Sequence, residues 1–217
     1  MFSMKYNTVI FDLDGTLLNT LDDLRDSLNE ILIKYCYLPQ TLEDVRRFVG
    51  NGVWNLVRRS LPSSCSDQEV TKIMEDFKAH YKRNMQNKTR PYNGIMELLL
   101  DLNRFNYKVA IVSNKYDAAV KELAQTYFGN LIPVAIGETS EIKRKPAPDS
   151  IFSAVQELGS SLESTILVGD SETDVQTAKN AGIPCIGVTW GFRCREVLRE
   201  EGADYLIDTP RELLTII

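Results

Sequence analysis

The chain has 217 residues, 43% of them hydrophobic and 25% charged, a soluble globular composition that excludes disorder along its whole length. Its formal net charge of -5 provides no sequence-wide basic field, so binding along a nucleic-acid backbone lacks electrostatic support and a small anionic substrate needs local positive charge. The N-terminus lacks a basic start followed by a long apolar stretch and a small-residue cleavage site, no apolar run approaches ~18 residues, and Cys36, Cys65, Cys185 and Cys194 stand far apart. These features predict a cytoplasmic protein with reduced thiols, no membrane span, no structural zinc and no disulfide framework.

Residues 8–11 are short, apolar and β-branched, and they break off at Asp12 and Gly15, which predicts a buried strand entering a loop. From 18 to 87 the pattern is helical, around 21–35, 42–48, 53–61 and 69–85, without a convincing strand and punctuated by Pro39, Pro62 and Pro91. Beyond it, strands are predicted at 108–113 and 164–169, and more weakly at 183–188 and 204–208. Helical spacing lies between them at 95–105, 118–128, 151–158, 174–181 and 195–201, with Gly159, Gly182 and Gly202 as stops. Strands alternating with helices predict right-handed βαβ units and a doubly wound, Rossmann-like parallel sheet covered on both faces. The expected organisation is an α/β core domain of residues 1–17 and 88–217 with an inserted α-helical domain at 18–87.

Four groups carry possible chemistry, each with a plainer reading. Asp12-Leu13-Asp14-Gly15-Thr16 sets two carboxylates two residues apart after a strand, where one can attack phosphorus and the other shuttle a proton. Gly15 lets the backbone turn tightly around an ion or phosphate. The same residues also make an ordinary Asp-rich turn. Gly169-Asp170-Ser171-Glu172-Thr173-Asp174 brings oxygen ligands suited to magnesium, or else a helix cap with acids in the first turn. Ser113-Asn114 can hydrogen-bond phosphoryl oxygens, yet such residues end strands routinely. Lys145-Pro146-Ala147-Pro148 holds a cation in a stiffened segment that is otherwise a solvated loop. All four lie at or just past predicted strand ends, the face on which open α/β sheets bind ligands.

In this order the four groups resemble the motifs of the haloacid dehalogenase superfamily, over nearly the whole chain. The resemblance implies a nucleophile at Asp12, a general acid and then base at Asp14, and phosphoryl contacts from Ser113 and Lys145. Asn114, Gly15 and Thr16 would join the phosphate site. A Mg²⁺ ion would be held by Asp12, the backbone carbonyl of Asp14, and Asp170, with Asp174 a partner of metal-bound water or of Lys145. Asp14 argues for phosphoryl transfer, because the superfamily's dehalogenases generally lack that aspartate and work without magnesium.

The insertion after the first motif is similar to the cap of the phosphoglycolate phosphatase-like branch. Within it, Phe48-Val49-Gly50-Asn51-Gly52 resembles that branch's cap loop, giving Gly50, Asn51 and Gly52 as substrate-binding candidates beside the plain reading of a loop before a helix. Ser113-Asn114-Lys115, Val188-Thr189-Trp190-Gly191-Phe192 and the ending Gly202 to Asp208 resemble the same branch. The implied reaction is hydrolysis of a small phosphorylated metabolite, 2-phosphoglycolate in first place, by a monomer or homodimer without nucleic-acid or membrane partners. A pyrophosphatase, a nucleotide or sugar phosphatase and a phosphoglucomutase are the alternatives on the same scaffold. A non-catalytic binding protein would be expected to lack Asp12, Asp14 or Lys145, and all three are present. Arg46 and Arg47 read as solvated helix residues, His80 as a helix-surface residue, and Trp54 and Trp190 as structural.

Overall fold

The computed structural model describes residues 5–217. The chain divides into two compact units, one of the described residues up to Leu18 with Pro91–Ile217, the other of Asn19–Arg90. The two short strands β2 (Leu18–Asn19) and β3 (Arg90–Pro91) pair as a separate two-stranded sheet.

The first unit is built on β1 (Thr8–Phe11), whose residues are all buried. A strand buried on both faces cannot alternate apolar and polar residues, which is why Thr8-Val9-Ile10-Phe11 reads as a near-continuous apolar run. The other strands are β4 (Lys108–Tyr116), β5 (Val134–Glu138), β6 (Thr165–Gly169), β7 (Cys185–Val188) and β8 (Tyr205–Ile207). The six-stranded sheet has the order β5-β4-β1-β6-β7-β8, and every pairing is parallel. Chain order runs outward from β1 through β4 to β5, then returns to β6 on the other side of β1 and runs outward again. The carboxyl ends of β4, β1 and β6 therefore flank a topological switch point, where the diverging connections leave a crevice.

Helices α5 (Ile95–Arg104), α6 (Asp117–Tyr127), α7 (Asp149–Glu157), α8 (Glu172–Ala181) and α9 (Arg195–Glu200) connect the strands. Ile10, Ala110, Val112 and Leu167 join Ile151, Ala154, Val175, Ala178 and Leu198 in one continuous core. Their strand neighbours Val9, Phe11, Val109, Ile111, Ile166 and Val168 are equally buried and point to the opposite side of the sheet. At the end of α8, Gly182 takes a left-handed φ of 71°, the stop expected there.

The second unit holds α1 (Leu21–Lys34), α2 (Leu42–Phe48), α3 (Gly52–Arg59) and α4 (Asp67–Asn84). Leu24, Leu28, Ile31 and Leu32 of α1 and Val70, Ile73, Phe77 and Tyr81 of α4 follow the three-and-four spacing of a buried helical stripe. Phe77 and Tyr81 stack with ring centroids 5.6 Å apart. Thr41 and Asp44 form a capping box on α2, and Ser66 caps α4 by accepting from Glu69 N.

Asp23 is buried in the first turn of α1. It accepts from Lys88 N at 2.9 Å and from Thr89 N at 2.8 Å, tying the two ends of the helical unit to each other. Asp23→Ala strips the partner from both amides, and we expect a loss of about 2–3 kcal/mol in urea unfolding. An unchanged midpoint would show that water replaces the carboxylate at no cost.

Candidate active site

Asp12 follows the last residue of β1 and continues its ladder, its N–H donating to Val168 O at 2.9 Å. The chain then folds back at once, with Leu17 N and Leu18 N donating to Leu13 O and Gly15 N to Leu18 O. Gly15 has φ +90°, and a Cβ there would lie 2.3 Å from Asp170 Oδ2, so a side chain is excluded by conformation and by contact together.

Lys145 is the centre of the group. Its ammonium is buried and donates to Asp12 Oδ1 at 2.8 Å, Asp174 Oδ1 at 2.7 Å and Val112 O at 3.2 Å. The backbone that carries it is held by Asn114, whose Oδ1 accepts from Lys145 N at 2.7 Å and whose Nδ2 donates to Lys145 O at 2.9 Å. Asp174 Oδ2 accepts from Ser171 Oγ and Ser171 N, so its carboxylate both caps α8 and fixes the lysine. The capping foreseen for this segment and the hold on Lys145 are made by the two oxygens of one carboxylate.

Asp170 is held from two directions. Thr16 Oγ1 donates to Oδ1 at 3.2 Å and Phe192 N to Oδ2 at 2.7 Å. Trp190 Nε1 donates to Thr16 O at 3.0 Å, bracing the first motif from the loop after β7. Gly191 between them is required by space, because a Cβ would fall 2.3 Å from Asp170 Cβ and 2.5 Å from Gly15 O.

Asp12, Asp170 and Asp174 bring one carboxylate oxygen each to within 4.8 Å of one another, all buried. Burial pushes Asp12 up to about 7, with the Lys145 ammonium drawing it down and the Asp174 carboxylate raising it again. Asp170 is raised well above the usual carboxylate range by burial and then by Asp12 and Asp174. Burial works against the charge on Lys145, yet Asp12 and Asp174 outweigh it and its pKa is raised. Three buried carboxylates against one ammonium leave negative charge in excess, and a cluster of oxygen donors at this spacing fits a divalent cation.

The structure thus brings Asp12, Asp14, Gly15, Thr16, Ser113, Asn114, Lys145, Asp170 and Asp174 to the carboxyl ends of β1, β4 and β6. Asn114, expected on a phosphoryl oxygen, directs both functional atoms of its amide at the Lys145 backbone instead. Gly50, Asn51 and Gly52 lie in the helical unit at the start of α3, with φ 119° at Gly50 and 81° at Gly52. Arg47 pairs with Asp44 in the same unit.

Lys115, quoted in the sequence reading without a role, is a site residue. Its buried Nζ donates to both oxygens of Asp14, at 2.9 and 3.0 Å. No local pattern announced it, because the register of β4 against β5 shifts between Val112 and Tyr116 and the contact with Asp14 is tertiary. Phe192 contributes a backbone N–H that any residue supplies, so no side chain announced it.

Residues 9–188 match the haloacid dehalogenase-like hydrolases. A phosphoglycolate phosphatase of Mesorhizobium japonicum is 34% identical over 198 residues, covering 89% of this chain and 87% of that protein. One from Haemophilus influenzae is 30% identical over 222 residues, covering 98% and 99%. The crystal structure of a candidate phosphoglycolate phosphatase from Lactobacillus delbrueckii subsp. bulgaricus superposes with a TM-score of 0.94 at 36% identity, covering 99% of both chains. The chain belongs to the haloacid dehalogenase-like hydrolases. Within them it is a phosphatase acting on a small phosphorylated substrate. Among the described residues no helix is long and apolar enough to cross a membrane.

Gly191→Ala forces Asp170 and the first-motif turn apart. We expect kcat to fall about 100-fold, as for catalytic groups displaced by about 1 Å, with an unchanged circular dichroism spectrum. Wild-type kcat in this variant would mean that the loop after β7 yields without moving Asp170.

Proposed function

We propose that the protein is a Mg²⁺-dependent phosphatase that hydrolyses 2-phosphoglycolate to glycolate and phosphate through an aspartyl-phosphate on Asp12. The observation that carries the reading is the Lys145 ammonium, shared by Asp12 and Asp174 beside a buried three-carboxylate cluster. The relatives named phosphoglycolate phosphatase, at 30–34% identity over most of the chain, support the substrate.

Asp12 attacks phosphorus, and its approach to a dianionic ester is tolerable only where cations offset the charge. Lys145 supplies one of them at the attacking carboxylate. The Asp12 and Asp170 carboxylates and the Asp14 carbonyl would hold Mg²⁺, which would supply further charge neutralisation and orientation. Ser113, at the end of β4, hydrogen-bonds a phosphoryl oxygen. Asp14 gives its proton to the departing alkoxide of the substrate, then takes one from the water that hydrolyses the aspartyl-phosphate. Asp174 holds Lys145 in position throughout. Gly50, Asn51 and Gly52 of the helical unit are the proposed substrate contacts of its loop before α3.

The test is phosphate release from 2-phosphoglycolate, pyrophosphate, sugar phosphates and nucleoside monophosphates, each with Mg²⁺ and with excess chelator. We expect the highest kcat/KM for 2-phosphoglycolate, its loss on chelation, and no turnover by Asp12→Asn. A sugar phosphate or pyrophosphate in first place overturns the substrate, and turnover by Asp12→Asn overturns the mechanism.

A further inference from the structure

Outside the phosphoryl site the α/β unit has a cavity of about 720 Å³, within the range of roughly 300–1,000 Å³ that small-molecule sites occupy. It lies between the start of α5, the loop after β7 and the closing turn Pro210–Thr215. Gly94 opens α5 with φ +86°, and a Cβ there would stand 3.5 Å from Pro210 Cγ, so the closing turn packs on the helix start and fixes one wall. Tyr92, Leu98, Trp190, Pro210 and Leu214 give the cavity an apolar and aromatic lining.

The charged part of the lining is unbalanced. Glu97 and Asp101 stand one turn apart on α5, a like-charge spacing that costs helix stability. Neither side chain has a hydrogen-bond or ion-pair partner among the described residues. Asp208 is committed to Arg195 and Thr189, and against the two free carboxylates the lining sets Arg211. This rim repels a phosphate ester. An ammonium or guanidinium beside Glu97 and Asp101 relieves their repulsion and gains the attraction of the Tyr92 and Trp190 rings.

The same two aromatic residues are tied to the catalytic turn. Tyr92 N donates to Leu17 O at 3.1 Å and Trp190 Nε1 to Thr16 O at 3.0 Å, so two consecutive carbonyls of the first motif are held by residues that line the cavity. Thr16 Oγ1 in turn donates to Asp170. A molecule seated against Tyr92 and Trp190 favours the arrangement in which both bonds are made, and that arrangement holds Asp170.

We propose that this cavity is a binding site for a small organic cation, an ammonium or guanidinium on an apolar body, and that its occupancy is coupled to the phosphatase site through Trp190 and Tyr92. The coupling rests on the phosphatase reading given above; the binding does not.

The probes are 2-phenylethylamine, 2-phenylethanol and 3-phenylpropionate, which carry the same ring with a cation, a neutral hydroxyl and an anion. Trp54 and Trp190 are the only tryptophans, so in Trp54→Phe the fluorescence of Trp190 alone reports binding. We expect the amine to bind with a Kd of about 1 mM or below, at least about 10-fold more tightly than the alcohol, and the anion not to bind. Glu97→Gln combined with Asp101→Asn should remove that preference. Thermal shifts of the unsubstituted protein by the three probes give the same ranking without any variant. Saturating amine should raise kcat/KM for 2-phosphoglycolate by about 5-fold, and the double variant should lose this effect.

Equal affinities for amine and alcohol, or undiminished amine binding by the double variant, would overturn the site. Amine binding with unchanged or lowered kcat/KM would overturn the coupling. A protein that releases phosphate from no ester would overturn the phosphatase reading beneath the coupling, and the fluorescence titration would still decide the site.

Discussion

The site depends on one buried ammonium held in common by Asp12, Asp174 and the carbonyl of Val112. Each acceptor comes from a different part of the sheet or its connections: β1, the start of α8 and β4. Removing the cation would leave like charges facing one another in a space closed to water, where their repulsion is strongest. The lysine therefore sets the distance between the nucleophile and α8 as well as the charge around the nucleophile. Its own backbone is fixed by a pair of hydrogen bonds from Asn114, so the next strand determines where the ammonium sits.

That arrangement is possible because β1 is central. With β4 on one side and β6 on the other, the loops after all three strands open onto one crevice, and residues more than a hundred positions apart reach hydrogen-bond distance. Glycine is used where those loops meet. Gly15 and Gly191 meet beside Asp170, each closer to it than a Cβ permits, so backbone packs directly on the aspartate. Trp190 and Phe192, flanking Gly191, supply the hydrogen bonds that make the close approach stable.

Much of this was legible in the sequence, and what was not has identifiable physical causes. The strands ending at Phe11 and Gly169 announce themselves as apolar runs cut off by acids, and the helical insertion as a break in the strand-helix rhythm. The edge strand Val134–Glu138 gave no such signal. It is five residues long, follows Pro133 and contains Gly137, whose N–H is satisfied by Asp117 Oδ1. The strand β4 runs on to Tyr116, past the predicted end at Ser113, across a register shift against β5 that apolar patterning does not reveal. Asn114 was assigned by residue type to phosphate, whereas its amide bonds the Lys145 backbone through both its oxygen and its nitrogen, a tertiary contact. The Phe192 amide and the Lys115 to Asp14 pair were out of reach, the first because it involves no side chain, the second because it is a tertiary contact between segments with no local pattern in common.

Two lysines in one small site would be redundant if charge alone were at stake, and their surroundings argue that it is not. Lys145 is fixed by three acceptors and cannot follow a substrate without abandoning the nucleophile. Lys115 sets its ammonium against both oxygens of Asp14, two positions further along the same turn. Each carboxylate of the first motif thus faces its own cation, one reaching it from β4 and one from the segment after β5, so the turn that carries both is fixed by groups distant from it in sequence.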